Sequence, residues 1–327
     1  MIFKDFYAGK DDNDRRLDKV IRIFLPSQPL SSIYKLLRKG LIKLNDKKAT
    51  PDYRIKTGDK ISIADFIFES SSENTVNSGK NQNKTVTQNL QLPPVVFENQ
   101  HIIIFNKPQN LSVHGDNSLE EIYSVFYKNN NSQNSLSFKP GPLHRIDRMT
   151  SGLVAFSKSL EGARWFSDAI KNHSLHKKYY ALLEGKVLQE EEWIDYIKAP
   201  EDNQKTFHTV EIAATQKDEE FKKAISFIKP ICSGNFKNKE LTLVQVEIKT
   251  GRQHQIRAQS SFHGHPLFGD TAYGGEENDS KAFFLHAAEL ILPKDNPLEL
   301  PTTIKADLPK SFLNFLVKTC SMEFSDI

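Results

Sequence analysis

Asp147 stands between Arg145 and Arg148 in the segment "PLHRIDRMTSGLVAFSKS", Pro142–Ser159. Adjacent positive charge favours the ionised form of a carboxylate. An ionised carboxylate at a domain's inner edge can serve as a nucleophile or a base, and the flanking arginines can contact phosphate. The competing reading is a surface salt bridge at the start of a strand, and on Asp147 alone that reading is the better one. Two other stretches carry reactive side chains. In "IKTGRQHQIRAQSSFHGHPLFGDTAYGG", Ile248–Gly275, the pattern predicts a strand ending at Thr250-Gly251 and then a helix bearing Arg252, His254 and Arg257. His254 and Arg257, three apart, then share one helical face. A loop through Gly264, Pro266 and Gly269 leads to Asp270 and Tyr273. In "HKKYYALLEG", His176–Gly185, a strand turns Tyr179 and Tyr180 to opposite faces. A tyrosine facing a site can stack on a nucleobase, a contact worth roughly 1–3 kcal/mol. Ordinary packing of both rings fits the pattern equally well.

These residues need a scaffold. "HIIIFNKP", "GLVAFSK", "YYALLEGKV", "LTLVQVEIK" and "FFLHAAELIL" read as strands, and "EGARWFSDAIKNH" carries Ala163, Phe166, Ala169 and Ile170 at helical spacing. Ahead of them, residues 15–65 read as a small α+β module. Arg15–Phe24 is helical and stops before Pro26; Ser31 or Ser32 caps a second helix that Gly40 ends. On that helix Ile33, Leu36 and Leu37 share one face and Lys35, Arg38 and Lys39 another. "LIKLND" and "DKISIAD" alternate as strands, with turns at Asn45-Asp46 and Gly58-Asp59. Between the two parts, fifteen of the 24 residues of 69–92 are Ser, Thr, Asn or Gln and none is aromatic, which predicts a flexible linker. The expected domains are therefore 1–68, the linker 69–92, and 93–327.

Composition excludes several classes. The longest apolar runs, such as "IIIF" at Ile102–Phe105, are too short to span a bilayer. The charged start "MIFKDFYAGKDDNDRR" lacks the apolar segment of a signal peptide. Cys232 and Cys320, far apart in sequence, predict neither a disulfide framework nor a cysteine metal site, and a reducing cytoplasm is the simplest location. The net charge is only +3, yet Arg15–Asp65 holds thirteen Lys/Arg against five Asp/Glu. Charge concentrated in this way predicts a polyanionic partner, nucleic acid first, over a merely solvated basic face.

Taken together, the motifs resemble the RluA-type pseudouridine synthases. "HRIDRMTSGLVAFSK" is similar to that family's HRLDRxTSGLLLFAK, "KKYYALLEG" to its K-x-Y-x-A-L, and "TGRQHQIRAQ…GHPLFGDTAYGG" to its TGRTHQIRVH…GHPIxGDxxYG. "NKPQNLSVHG" and "FLHAAELIL" resemble its entry segment and closing strand, so the likeness covers most of residues 93–315. The basic module resembles an S4 RNA-binding domain, and "SSIYKLLRKG" is closest to the RluC-like branch, which modifies large-subunit ribosomal RNA. The implied fold is α+β: a small S4-type domain, then a catalytic domain on a mixed, largely antiparallel sheet flanked by helices. The implied reaction breaks the N1–C1′ bond of uridine, turns the base and rejoins it through C5. It needs no metal and no other cofactor. Asp147 matches the catalytic aspartate, Arg257 the basic residue that pairs with it, and Tyr179 the tyrosine that stacks on the target base. Arg145 matches a residue proposed to enter the RNA stack where the base leaves, a flip costing a few kcal/mol. Thr150, Ser151 and Gly152 are expected to shape the turn presenting Asp147. Arg15, Lys35, Arg38 and Lys39 are the expected RNA contacts of the S4 module. The chain departs from the pattern at Ile146, Met149, Gln253, Ala258 and Gln259, and has Gln109-Asn110 where Ser-Gly is common, Asn tolerating the left-handed backbone. The expected protein is a monomer acting on RNA, away from membranes.

Three rival functions remain on this reading. One is the same chemistry on transfer RNA. Another is a metal-dependent hydrolase using His144, Asp147, His254, His263, His265 and Asp270. The last is a non-catalytic RNA-binding or ribosome-assembly protein that relies on the S4 module alone.

Overall fold

The computed structural model describes residues 1–68, 91–130, 135–200, 209–278 and 282–320, with the side chains of 128–130 left aside. The linker read at 69–92 lies outside the described residues except for Gln91 and Leu92. The chain divides into two compact units. One takes Met1–Gln91, Ile122–Gly141 and Lys158–Glu161; the other takes Leu92–Glu121, Pro142–Ser157 and Gly162–Ile327.

In the first unit, strands β1 (Phe3–Tyr7), β2 (Ile42–Leu44) and β3 (Lys60–Ala64) form an antiparallel sheet in the order β1-β3-β2. Helix α1 (Leu17–Phe24) buries Leu17, Val20 and Ile21, the i, i+3, i+4 positions of one face. Helix α2 (Leu30–Lys39) buries Ile33 and Leu37, and Gly40 ends it with φ +71°. Its start differs from the sequence reading. Pro29, with φ −65° already set for a helix, is the cap, and the Ser32 hydroxyl donates to Gln28 instead. Asn45 and Asp46 both have positive φ, as a tight turn of the favoured hairpin hand requires. Strand β1 escaped the reading because its burial alternates poorly at a sheet edge.

This unit also recruits a short remote segment. Leu136 is 7% exposed within its apolar core, beside Ile21 and Ile61. The buried Asp12 carboxylate accepts hydrogen bonds from Gly9 N, Leu136 N (2.7 Å), Ser137 N and the hydroxyls of Ser135 and Ser137. Arg15 adds a bond to the Ser137 carbonyl, 3.1 Å. Asp12→Ala orphans several of these donors at once. A buried unpaired donor costs about 1–3 kcal/mol, so the variant is expected to lose on the order of 3 kcal/mol of stability. Urea unfolding followed by tryptophan-independent circular dichroism checks this.

The second unit is built on β4 (Val95–Glu98), β5 (Ile102–Lys107), β6 (Gly141–Pro142), β7 (Ser151–Ser157), β8 (His176–Glu184), β9 (Glu191–Lys198), β10 (Glu211–Ala213), β11 (Lys222–Phe236), β12 (Lys239–Ile248), β13 (Leu285–Ile291) and β14 (Thr303–Lys305). The main path of this sheet runs β10-β9-β11-β12-β8-β13-β7-β5-β4. All its pairings are antiparallel except β13 with β7. Helices α4 (Leu160–Lys171), α5 (Gln255–Phe262) and α6 (Lys310–Cys320) accompany the strands, while most of α3 (Leu119–Asn130) belongs to the first unit. One apolar core gathers Ile102, Leu153, Phe166 and Leu290; another gathers Leu182, Leu243, Phe284 and Phe312. No described helix is long and apolar enough to cross a membrane. The two cysteines, distant in sequence and both free, become neighbours where α6 meets β11.

Candidate active site

Asp147 sits in the loop that enters β7, and Thr150 N closes a turn onto the Asp147 carbonyl at 3.0 Å. The next residues fix that turn. Ser151 Oγ bonds His286 Nδ1 at 2.9 Å, and Gly152 pairs with Ala287 in the parallel β7–β13 ladder. Gly152 has φ +110°, and a Cβ there would lie 2.2 Å from the Ala287 carbonyl oxygen, so only glycine fits. From the other side comes Lys107, fully buried, whose Nζ donates to the carbonyls of Pro108 (3.0 Å), Leu111 (2.7 Å) and Arg148 (3.2 Å). Burial pulls its pKa down to about 7, against the pull of Asp147. Three carbonyls match the three donors of an ammonium group. Lys107 therefore props the loop from below, one residue past Asp147. Asn110, with φ +66°, turns the chain that closes this cage, as its glycine-like tolerance allows.

The cation that meets Asp147 arrives on α5. Arg257 Nη1 lies 3.5 Å from Asp147 Oδ2. Its other edge is occupied: Nε and Nη2 donate to the two oxygens of Asp270 at 2.6 and 2.8 Å. The rings of Tyr273 and Phe283 lie 4.8 and 4.6 Å from its guanidinium carbon. Burial works against this charge, but the hydrogen bonds and negative charge of Asp270, helped by Asp147, hold the proton above its ordinary value. A planar guanidinium locked by a fork and two rings has one free edge, and that edge points at Asp147.

His254 approaches the second oxygen, with Nε2 3.9 Å from Asp147 Oδ1. It does not lie in α5 as the sequence suggested. It caps the helix with φ +50°, and Arg252 precedes it in a turn. The Gln255 side chain makes that turn by accepting from Thr250 Oγ1 (2.8 Å) and Arg252 N (3.0 Å). Burial lowers the His254 pKa, against the pull of the Asp147 charge. Tyr273 Oη accepts the Val210 N–H at 2.9 Å and meets His254 Nδ1 at 2.9 Å.

Two cavities meet at Asp147. The larger, about 630 Å³, is lined by Tyr179 and Lys177 of β8, by His144 and Thr150, and by the Gly251–Arg257 stretch. Burial and the Asp147 charge push the Tyr179 hydroxyl upward in pKa, so it stays a hydrogen-bond donor. Tyr180 turns to the other face, into the core around Phe284, as strand alternation predicts. Burial brings the Lys177 amine down to about 8. The smaller cavity, about 350 Å³, lies against Ser112, His114, Arg148 and Phe283. Arg145 and Asp147 line both. The arrangement offers a carboxylate with an aimed cation, an aromatic platform beside it, and cationic side chains at the mouth. That set suits a flat, neutral ring carried on a phosphate backbone.

Of the residues singled out from sequence, Asp147, Arg257, Tyr179 and Arg145 converge here. Lys35, Arg38 and Lys39 lie exposed on α2, whereas Arg15 spends a donor on Ser137. The remaining histidines of the metal-ligand reading disperse. His263 meets Asp195 at 3.0 Å and stacks on Trp193, His265 meets the Glu184 carbonyl, and His144 Nε2 accepts the Ala155 N–H. Gln259, a departure from the family pattern, is fully buried and bonds Ser226 and Asp195. Sequence reasoning assigned no role to Lys107 or Phe283. Lys107 lies in "NKPQNL", and the only signal for it was its place in that segment.

Two family models match the chain. The RNA pseudouridylate synthase family model matches residues 101–262, and the S4 domain model matches residues 15–61. The Vibrio vulnificus protein named ribosomal large subunit pseudouridine synthase C is 28% identical over 315 residues, covering 92% of this chain and 93% of its own. Its namesake in Escherichia coli strain K12 is 28% identical over 303 residues, covering 86% and 85%. Among solved structures, human RNA pseudouridylate synthase domain containing 1 aligns with TM-score 0.55 and 21% identity, covering 73% of this chain and 94% of that one, a likeness of fold.

Proposed function

The chain belongs to the RNA pseudouridylate synthase family, with an S4 domain ahead of the catalytic one, and from that premise we propose that it isomerises uridines of large-subunit ribosomal RNA through Asp147. The observation that carries the assignment of Asp147 is its position. It is the carboxylate at which both cavities meet, and Arg257 Nη1 stands 3.5 Å from it.

The chemistry asks for these groups. The N1–C1′ bond of uridine breaks and a C5–C1′ bond forms; N1 gains a proton and C5 loses one. Every bond exchanged belongs to the uridine itself. Asp147 supplies negative charge at the sugar–base junction. Arg257, clamped by Asp270, holds the carboxylate in place as the site closes and loses water, where charge-assisted contacts strengthen. Tyr179 gives the detached base a surface on which to turn while its hydroxyl remains a donor. Arg145, exposed at the mouth, is placed to fill the stack that the flipped base leaves. The exposed cations of α2 and the local excess of positive charge support phosphate binding by the S4 domain. This reading places the protein with ribosomal RNA in the cytoplasm.

The substrate is supported by the names of relatives that cover nearly the whole chain. Pseudouridine mapping of ribosomal and transfer RNA, with and without the gene, tests it. The expected result is loss of one or a few pseudouridines from large-subunit ribosomal RNA and none from transfer RNA. Loss confined to transfer RNA moves the substrate and leaves the chemistry standing.

A further inference from the structure

We propose that the smaller cavity is a second nucleotide subsite, which seats the nucleotide adjoining the target uridine and binds its phosphate through Arg148. The inference rests on the proposed function and extends it to the neighbouring residue of the RNA.

The cavities share Arg145, Ile146, Asp147, His254 and Arg257 as a common wall. A uridine whose base lies by Tyr179 must bring its N1–C1′ bond to Asp147. The chain that continues from its sugar then passes to the other side of that wall. The cavity there has the two surfaces a nucleotide needs. Its floor is apolar: Val113 and Phe283 are 3% and 5% exposed, and Ile146 and Met149 join them. Its rim is cationic, with Arg145 and Arg148 both exposed and neither in an ion pair among the described residues. Bases rest on apolar or flat surfaces, and phosphates seek guanidinium groups.

Arg148 is also anchored in an informative way. Its carbonyl is gripped by the buried Lys107 at 3.2 Å, and its side chain is left exposed. The residue therefore holds a fixed origin next to Asp147 with an uncommitted guanidinium. An arginine serving only the loop would be expected to bond a local acceptor. The rest of the rim moderates the charge. Ser112 adds a hydroxyl, the Asp147 carboxylate faces Arg257, and the His114 ring meets the Glu120 carboxylate at 2.9 Å.

The test uses a transcript of the large-subunit ribosomal RNA ethylated at random phosphates, which removes single negative charges. Conversion of its target uridine is measured for the full-length wild type and for Arg148→Gln and Arg148→Lys. In the wild type, ethylation of a phosphate next to the target is expected to cut conversion about tenfold. Arg148→Gln is expected to raise KM about tenfold on unmodified RNA, with kcat little changed, and to lose sensitivity to that one ethylation. Arg148→Lys should fall between the two, since it keeps a charge without the fork. Unchanged kinetics for Arg148→Gln overturn the subsite. So does a slower variant that still senses every flanking ethylation as the wild type does. Failure of the wild type to convert any uridine in the unmodified transcript overturns the proposed function, and the subsite with it.

Discussion

Asp147→Asn is expected to stop pseudouridine formation, with turnover down by a factor on the order of 10⁴ or more, as for loss of an essential reacting group. RNA binding should stay within about threefold of the wild type, because Asp147 is one neutralised carboxylate among many positive contacts. The variant should also fold. The Asp147 side chain is 21% exposed, outside both apolar cores, and Asn keeps its volume. Arg257 loses one carboxylate but retains its fork to Asp270. The stability change is therefore expected to be within about 1 kcal/mol, the range of partly exposed ion pairs. Pseudouridine detection on the ribosomal transcript, with filter binding and a thermal melt on the same preparation, separates the three quantities. Turnover within tenfold of the wild type would remove Asp147 from the mechanism.

The parts of this site legible in the sequence are those where local pattern and residue type agree. "GLVAFSK" carries the unbroken apolar run Leu153–Phe156 and supplies most of β7, buried along its length. Tyr179 and Tyr180 part to opposite faces because a strand has no alternative. What stayed hidden depends on contacts between distant residues. Lys107 reads as an ordinary surface lysine until three carbonyls close around it, one of them 41 residues away. Asp270 reads as a turn residue until Arg257 is folded against it. Strand β11 was missed for a local reason: Pro230 and Gly234 are strand breakers by composition. The ladder shifts register between Pro230 and Cys232, which accommodates the proline at a bulge. Gly234 lies where a Cβ would come 1.9 Å from the Thr319 carbonyl oxygen, so the glycine admits the end of α6. In the first unit, no pattern within residues 1–68 announces Leu136, because the partner that completes that core arrives from far along the chain. The helix through Arg257 was legible, but its start was not. A side chain, Gln255, rather than a backbone preference, sets where it begins.

Asp270→Asn is expected to cost about a hundredfold in kcat with KM nearly unchanged, although Asp270 touches no reacting atom. Its carboxylate takes Nε and Nη2 of Arg257 together, and so fixes the guanidinium plane and leaves Nη1 for Asp147. Asn offers one acceptor oxygen and turns an NH₂ toward the other donor. One bond of the fork is lost and replaced by repulsion. The cation can then rotate toward Asp147, and a distance set at 3.5 Å for the resting enzyme is no longer set by the fold. Breaking a pair in which Arg257 and Asp270 are 11% and 2% exposed is also expected to lower stability by about 3 kcal/mol. Instability alone does not account for the kinetic prediction. Measured well below its melting point, the variant should still bind the transcript normally and still turn over slowly. Arg257→Lys supplies the complementary case: the charge remains, but both the fork and the stacking between Tyr273 and Phe283 go. If a fully folded Asp270→Asn kept kcat within threefold, the aim of Arg257 would have to come from the two rings alone, and Arg257→Lys should then be the more damaging change.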